Sequence, residues 1–287
     1  KQLQKSYPQH PEAIRAQYLL ARSYAERQAF DEAAKVLPSL LKASIADTLR
    51  PELLLNLAEA YQQTQQYSLA VQTYQKLLAE YPQSSNRVQV LQGLGRCYTA
   101  QKDYDQARTM YQEIIDHRPY STVAVEAWAN VGDIYVAQQQ FVPAIEAYQR
   151  YLLLNTDASR ADAIRYQMAQ LYETSLGWLE EAIGGYKSLA TSTSSYAAQA
   201  HFAWARCLEQ EDRPRKAALQ YQRFLQRYPE HKLAKQAAAR AEYLENFTPQ
   251  ISKTVLEQVL EIFADHLGGK SGAGSIYDLA RISYDYS

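Results

Sequence analysis

The sequence predicts an all-α solenoid built of helix–turn–helix repeats, and three observations predict it. An alanine recurs at Ala33, Ala70, Ala107, Ala144, Ala182 and Ala217, at steps of 37, 37, 37, 38 and 35 residues. Apolar residues inside each unit return every three or four positions, as a buried helix stripe requires. Only 10 glycines and 10 prolines interrupt 287 residues, so long helices are permitted.

Nine or ten residues before each alanine stands Tyr24, Tyr61, Tyr98, Tyr135, Tyr172 or, in the last unit, Leu208; four after it stands Leu37, Tyr74, Tyr111, Tyr148, Tyr186 or Tyr221. These positions give many of the chain's 24 tyrosines an address. Aromatics there bury large areas between helices while the hydroxyl reaches the edge, so the ten tyrosines are read as core. In "YSLAVQTYQKLLAEYP", Leu69, Val71, Tyr74, Leu77 and Leu78 mark one helix face. Short polar turns such as "QTQQY", "QKDYD" and "QQQFV" force antiparallel neighbours. Pro82, Pro119 and Pro229 end second helices, because proline lacks the amide donor and clashes with the preceding turn.

The spacing of Trp128, Val131–Gly132, Tyr135, Ala144 and Tyr148, and of Leu91, Leu94–Gly95, Tyr98, Ala107, Tyr111 and Pro119, resembles the signature of the tetratricopeptide repeat family. Six units then start at Ile14, Pro51, Val88, Val125, Asp162 and Ala198. Residues 1–13 read as the tail of a truncated repeat, 14–250 as the array with a closing helix from His231 to Phe247, and 251–287 as a terminal helix, a Gly/Ser linker and a short last segment. The chain starts at Lys1, not Met, so a trimmed N-terminus and a longer parent protein are expected. A period nearer 37 than 34 is similar to bacterial envelope arrays, which implies a periplasmic or envelope setting.

The resemblance implies a right-handed superhelix with first helices lining a concave groove, contacted at unit positions two, five, nine, twelve and thirteen. Carried onto this chain, the partner-binding candidates are Arg15, Tyr18, Arg22, Glu59, Gln62, Gln92, Arg96, Thr99, Asp133, Tyr166, Gln170, Phe202 and Arg206. Tyr18, Tyr166 and Phe202 are the candidate anchors, since interface hot spots favour aromatics and arginines. A carboxylate clamp for chaperone tails is not expected: Asn56 and Asn130 fill its asparagine slot, but its lysines are missing.

Chemistry is not expected, nor any cofactor or metal. Cys97, Asp103, Asp105, Glu113, Asp116 and His117 crowd together in sequence, but the repeat register makes Cys97 a packing residue, matched by Cys207, and puts His117 at a helix end. The five histidines show no HExxH spacing. "GGKS" at Gly268–Ser271 lacks the first glycine of a phosphate loop, Ala264 standing in its place, and follows a helix, so it reads as a linker. A net charge of -1 argues against nucleic acid, and the basic run Arg213–Arg240 is interleaved with acids. No apolar run of about 18 residues is present to span a bilayer.

The expected function is therefore that of a scaffold or adaptor binding a peptide or partner domain. The alternatives are a regulatory or targeting arm of an enzyme or secretion machine whose catalytic domain lies elsewhere, and a self-assembly module joined through its terminal helices.

Overall fold

The computed structural model describes residues 10–42, 47–155 and 158–247. The expectations for residues 1–8 and 251–287, including the apolar helix from Ile251 and the "GGKS" linker, fall outside them. The described residues hold helices and turns and no strand. In chain order the hairpins are α1 (Pro11–Glu26) with α2 (Phe30–Lys42), α3 (Arg50–Gln63) with α4 (Tyr67–Glu80), and α5 (Arg87–Ala100) with α6 (Tyr104–His117). They continue as α7 (Thr122–Ala137) with α8 (Phe141–Leu154), α9 (Ala158–Leu171) with α10 (Leu179–Ala190), and α11 (Ala197–Gln210) with α12 (Pro214–Arg227). The last described helix is α13 (Ala234–Phe247). The chain forms two compact units, divided between Asn155 and Thr156. Within each, every helix packs on the next in sequence, giving the stacked hairpins of an all-α solenoid.

The repeated alanines explain the hairpin geometry. All six are at most 1% exposed, because the two helices of a hairpin approach too closely there for a larger group. One turn further along the same helices Tyr74, Tyr111, Tyr148, Tyr186 and Tyr221 are at most 2% exposed, while most of the first-helix tyrosines are half-buried. At Gly132 the Tyr148 ring lies where a side chain would begin, 2.4 Å from an ideal Cβ. Gly93 is filled in the same way by Tyr74.

Each hairpin turns through one left-handed residue. Gln28, Gln65, Lys102, Gln139, Gly177 and Asp212 all have φ between 55° and 67°, at matching repeat positions. The next amide closes the turn onto the carbonyl five residues back: Ala29 onto Tyr24, Gln66 onto Tyr61, Asp103 onto Tyr98, Gln140 onto Tyr135 and Arg213 onto Leu208. The fifth hairpin has one residue more, the source of its 38-residue step. It absorbs that residue as a π turn over Tyr172–Leu176, with Trp178 N–H bonding to Tyr172 six residues back.

The links between hairpins account for the long period. Helices α4, α6 and α12 each stop two residues before Pro82, Pro119 and Pro229, and the intervening Tyr81, Arg118 and Tyr228 take the extended φ that a following proline imposes. Successive three-residue turns then run Tyr81–Ser84–Arg87 and Tyr228–His231–Ala234. Ser84 Oγ, Ser194 Oγ and His231 Nδ1 each accept from the N–H two residues on, so the extra linker residues are ordered by their own side chains.

Candidate functional site

The first helices carry the predicted contact positions, and in the first compact unit α3 and α5 touch directly. Between them opens a cavity of about 270 Å³, lined by Glu59, Gln62 and Gln63 of α3, Gln89, Gln92, Gly93 and Arg96 of α5, with Tyr74 and Phe30. Four of the candidates, Glu59, Gln62, Gln92 and Arg96, are thus brought together. The walls are amide and charged groups, which suit a polar ligand such as peptide backbone. Burial pushes the Glu59 carboxyl up from its ordinary range, and the Arg96 charge pulls part of the way back.

Tyr74 forms part of the cavity wall, and its contacts recur in the other hairpins. Tyr74 crosses the bare backbone of Gly93 and donates its hydroxyl to Gln62 Oε1 at 3.0 Å. Tyr148 does the same to Asp133 Oδ1 at 2.7 Å, Tyr186 to Glu173 Oε2 at 2.8 Å and Tyr221 to Glu209 Oε2 at 3.3 Å. Tyr111 faces Thr99. Each of these five rings therefore ends at a predicted contact position of its own hairpin. Burial pushes the phenols of Tyr74, Tyr111, Tyr186 and Tyr221 up, Tyr111 and Tyr221 to about 12, so they act as neutral donors.

The remaining candidates divide by environment. Arg15 is exposed and Tyr18 half-buried on α1, while Arg22 is exposed and paired with Glu26 on the same helix. In the second unit Gln170 is exposed, and Tyr166 is half-buried, its ring stacked on Tyr196 at 5.1 Å. Arg206 donates twice to Glu173, from Nε at 2.6 Å and from Nη2 at 2.7 Å. Phe202 requires a correction: it is 5% exposed, edge-on to Tyr221 and Phe224, and belongs to the core between α11 and α12. As an anchor it has no surface to offer. Cys97 and Cys207 are fully buried thiols, pushed up by burial to about 11 and about 12, in keeping with their reading as packing residues.

Sequence reasoning missed the role of Glu173 and Glu209 as acceptors that lock hairpins to their successors. The signal was available: an acid at position twelve followed about 31–33 residues later by Arg206 or Arg240. A second hollow, about 570 Å³, lies between α6 and α7 and is lined by Asp105, Arg108, Glu113, Asp116 and Tyr135 among others. Its Arg108 guanidinium sits 5.1 Å from the centre of the Tyr135 ring, and none of its lining residues is a predicted contact position. No described helix is long and apolar enough to cross a membrane.

Family models described as tetratricopeptide repeat match residues 49–119, 93–163 and 199–231. No curated protein matches the sequence. Among solved structures, the C-terminal part of a repeat-containing protein from Cytophaga hutchinsonii is similar with a TM-score of 0.61 at 14% identity, over 81% of this chain and 97% of that one. PilF of Pseudomonas aeruginosa is similar at 0.52 and 21% identity, over 79% and 97%. MamA from AMB-1 is similar at 0.51 and 21%, over 66% and 98%. At such identities the likeness is one of fold. With the alanine, glycine and tyrosine positions in place and three matching repeat models, the chain belongs to the tetratricopeptide repeat family, whose arrays are protein-interaction scaffolds.

Proposed function

We propose that this chain is a scaffold that holds an extended peptide segment of a partner protein across the first helices, with the cleft between α3 and α5 as its main contact. The observation that carries the reading is the cavity itself: Glu59, Gln62, Gln89, Gln92 and Arg96, five predicted contact positions from two successive repeats, converge on one polar space. Glutamine amides offer a donor and an acceptor each, matching the N–H and C=O of an extended backbone. Glu59 and Arg96 add charge selection. Glu59 is retained there against the cost of burial, and strained or costly groups collect where binding needs them.

The direct test is capture of partners from a lysate by the wild-type chain and by Arg96→Glu and Gln92→Ala variants of unchanged helicity. Loss of the same captured species in both variants supports the reading; unchanged recovery in both overturns it. An envelope setting, a role as the arm of a larger machine, and self-association through terminal helices are finer alternatives within the scaffold class. Light scattering across a concentration series addresses self-association, which predicts a mass that grows with concentration.

A further inference from the structure

In the second compact unit one three-residue arrangement occurs twice. Tyr186 donates to Glu173, and Arg206 of the following first helix grips the same carboxylate. One repeat later Tyr221 donates to Glu209, and Arg240 of α13 pairs with it, Nε to Oε2 at 3.2 Å. A buried tyrosine, a position-twelve carboxylate and an arginine from the next helix form one closed set.

The first unit repeats this set with one change. Tyr74 stands for Tyr186, and Arg96 stands for Arg206 at position nine of the following unit. The electrostatic surroundings agree: Arg96 acts on Tyr74 and Tyr111, the tyrosines of the preceding and of its own hairpin. Arg206 lies in the same relation to Tyr186 and Tyr221. Between Tyr74 and Arg96, however, the residue is Gln62, which accepts from Tyr74 as Glu173 does from Tyr186 but brings no charge. Among the described residues Arg96 has no ion pair; it is coupled to Glu59 only through space. Here, where Gln62 replaces the position-twelve carboxylate, the cavity lies open.

We propose that the α3–α5 cavity binds a carboxylate supplied by the partner, held by Arg96 with Gln62, Gln89 and Gln92 as neighbours, in the place that Glu173 takes against Arg206. This rests on the reading of the cavity as the partner contact. An arginine fork matches a carboxylate with two parallel hydrogen bonds, as Arg206 shows in the same fold. Glu59 opposes an isolated anion, so a small carboxylate binds weakly, with a Kd on the order of millimolar. A longer ligand offsets that charge by placing an N–H or a basic group on the Glu59 side.

The test uses the whole chain labelled with [15N]arginine, with the Arg96 Nε–H resonance assigned by its loss in Arg96→Lys. The probes are N-acetylglutamic acid α-amide (side-chain carboxylate), N-acetylalanine (chain-end carboxylate) and neutral N-acetylglutamine amide. The expected result is a saturable shift of the Arg96 resonance with a carboxylate probe and none with the neutral one. Which carboxylate binds more tightly tells whether the partner offers an acidic side chain or its C-terminus. Gln62→Glu rebuilds the internal set, so it should weaken carboxylate binding at least about tenfold while leaving the unfolding midpoint undiminished. No response to either carboxylate, or an unaltered response in folded Gln62→Glu, overturns the assignment. If partner capture falls in Gln92→Ala but survives in Gln62→Glu, the cleft remains the contact and only the carboxylate assignment fails.

Discussion

Arg206 of α11 closes both of its hydrogen bonds on Glu173, a carboxylate whose side chain is only 2% exposed although the arginine itself is half in solvent. The pair spans two successive repeats, and the Tyr186 hydroxyl holds the same carboxylate from below. Removing the arginine leaves a buried anion with one neutral donor. Arg206→Ala should therefore cost about 2–4 kcal/mol. Urea unfolding followed by circular dichroism checks it, and a midpoint equal to wild type would contradict the pairing.

Two glycines in helices should respond in opposite directions to the same substitution. Gly132→Ala places a methyl group 2.4 Å from the Tyr148 ring, which is fully buried and has nowhere to move, so a loss of about 1–3 kcal/mol is expected. Gly184 lies in α10 with nothing within 4 Å of an added Cβ. There alanine lowers the entropy of the unfolded chain and favours the helix, a gain of up to about 1 kcal/mol. Thermal unfolding of the two variants side by side is the measurement.

The left-handed corners give a second opposed pair. At Gly177, φ +67° is open to glycine at little cost, and no atom crowds the position. Gly177→Ala should thus lose about 1 kcal/mol purely through backbone strain. Lys102 holds φ 63° without that freedom, so Lys102→Gly should leave the melting temperature unchanged or raise it.

His201 predicts a pH dependence. Burial among Trp204, Phe224 and Tyr228 lowers its pKa below the ordinary 6.5, and Gln220 near Nε2 only partly offsets this. Below that value the unfolded chain binds a proton that the folded one refuses, so stability falls as the pH drops through 6.5 toward the lowered native value. Urea midpoints at pH 7.5 and pH 5.5 should differ less in His201→Leu than in wild type, by about 1 kcal/mol of unfolding free energy.

Much of the fold was legible because each repeat states its packing again. Six alanines at one register position predict one close helix approach, and all six are buried to 1% exposure or less. The position rule for the groove is weaker, because it assigns a direction and leaves burial to the neighbours. At position five, Gln92 is half-buried and lines the cavity, whereas Leu55, Ala129 and Phe202 are buried. The deciding factor for Phe202 is the pair of rings beneath it, Tyr221 and Phe224, in the other helix of the hairpin. The role of Glu173 was missed for a related reason. Its meaning depends on Arg206, 33 residues away, and a single helix shows only an acid on an outward face.

The π turn at Tyr172–Leu176 bears on how such a chain changes length. An added residue at that corner is taken up before the next helix begins, and Ala182 still lands at the close approach, fully buried. The hairpin corner thus works as an expansion joint: insertions there leave the downstream register untouched. An insertion within α9 or α10 would instead rotate every later contact of that helix by a hundred degrees. Length variation among chains of this kind should accordingly collect at the corners, and loops meant to carry tags or new binding segments belong there.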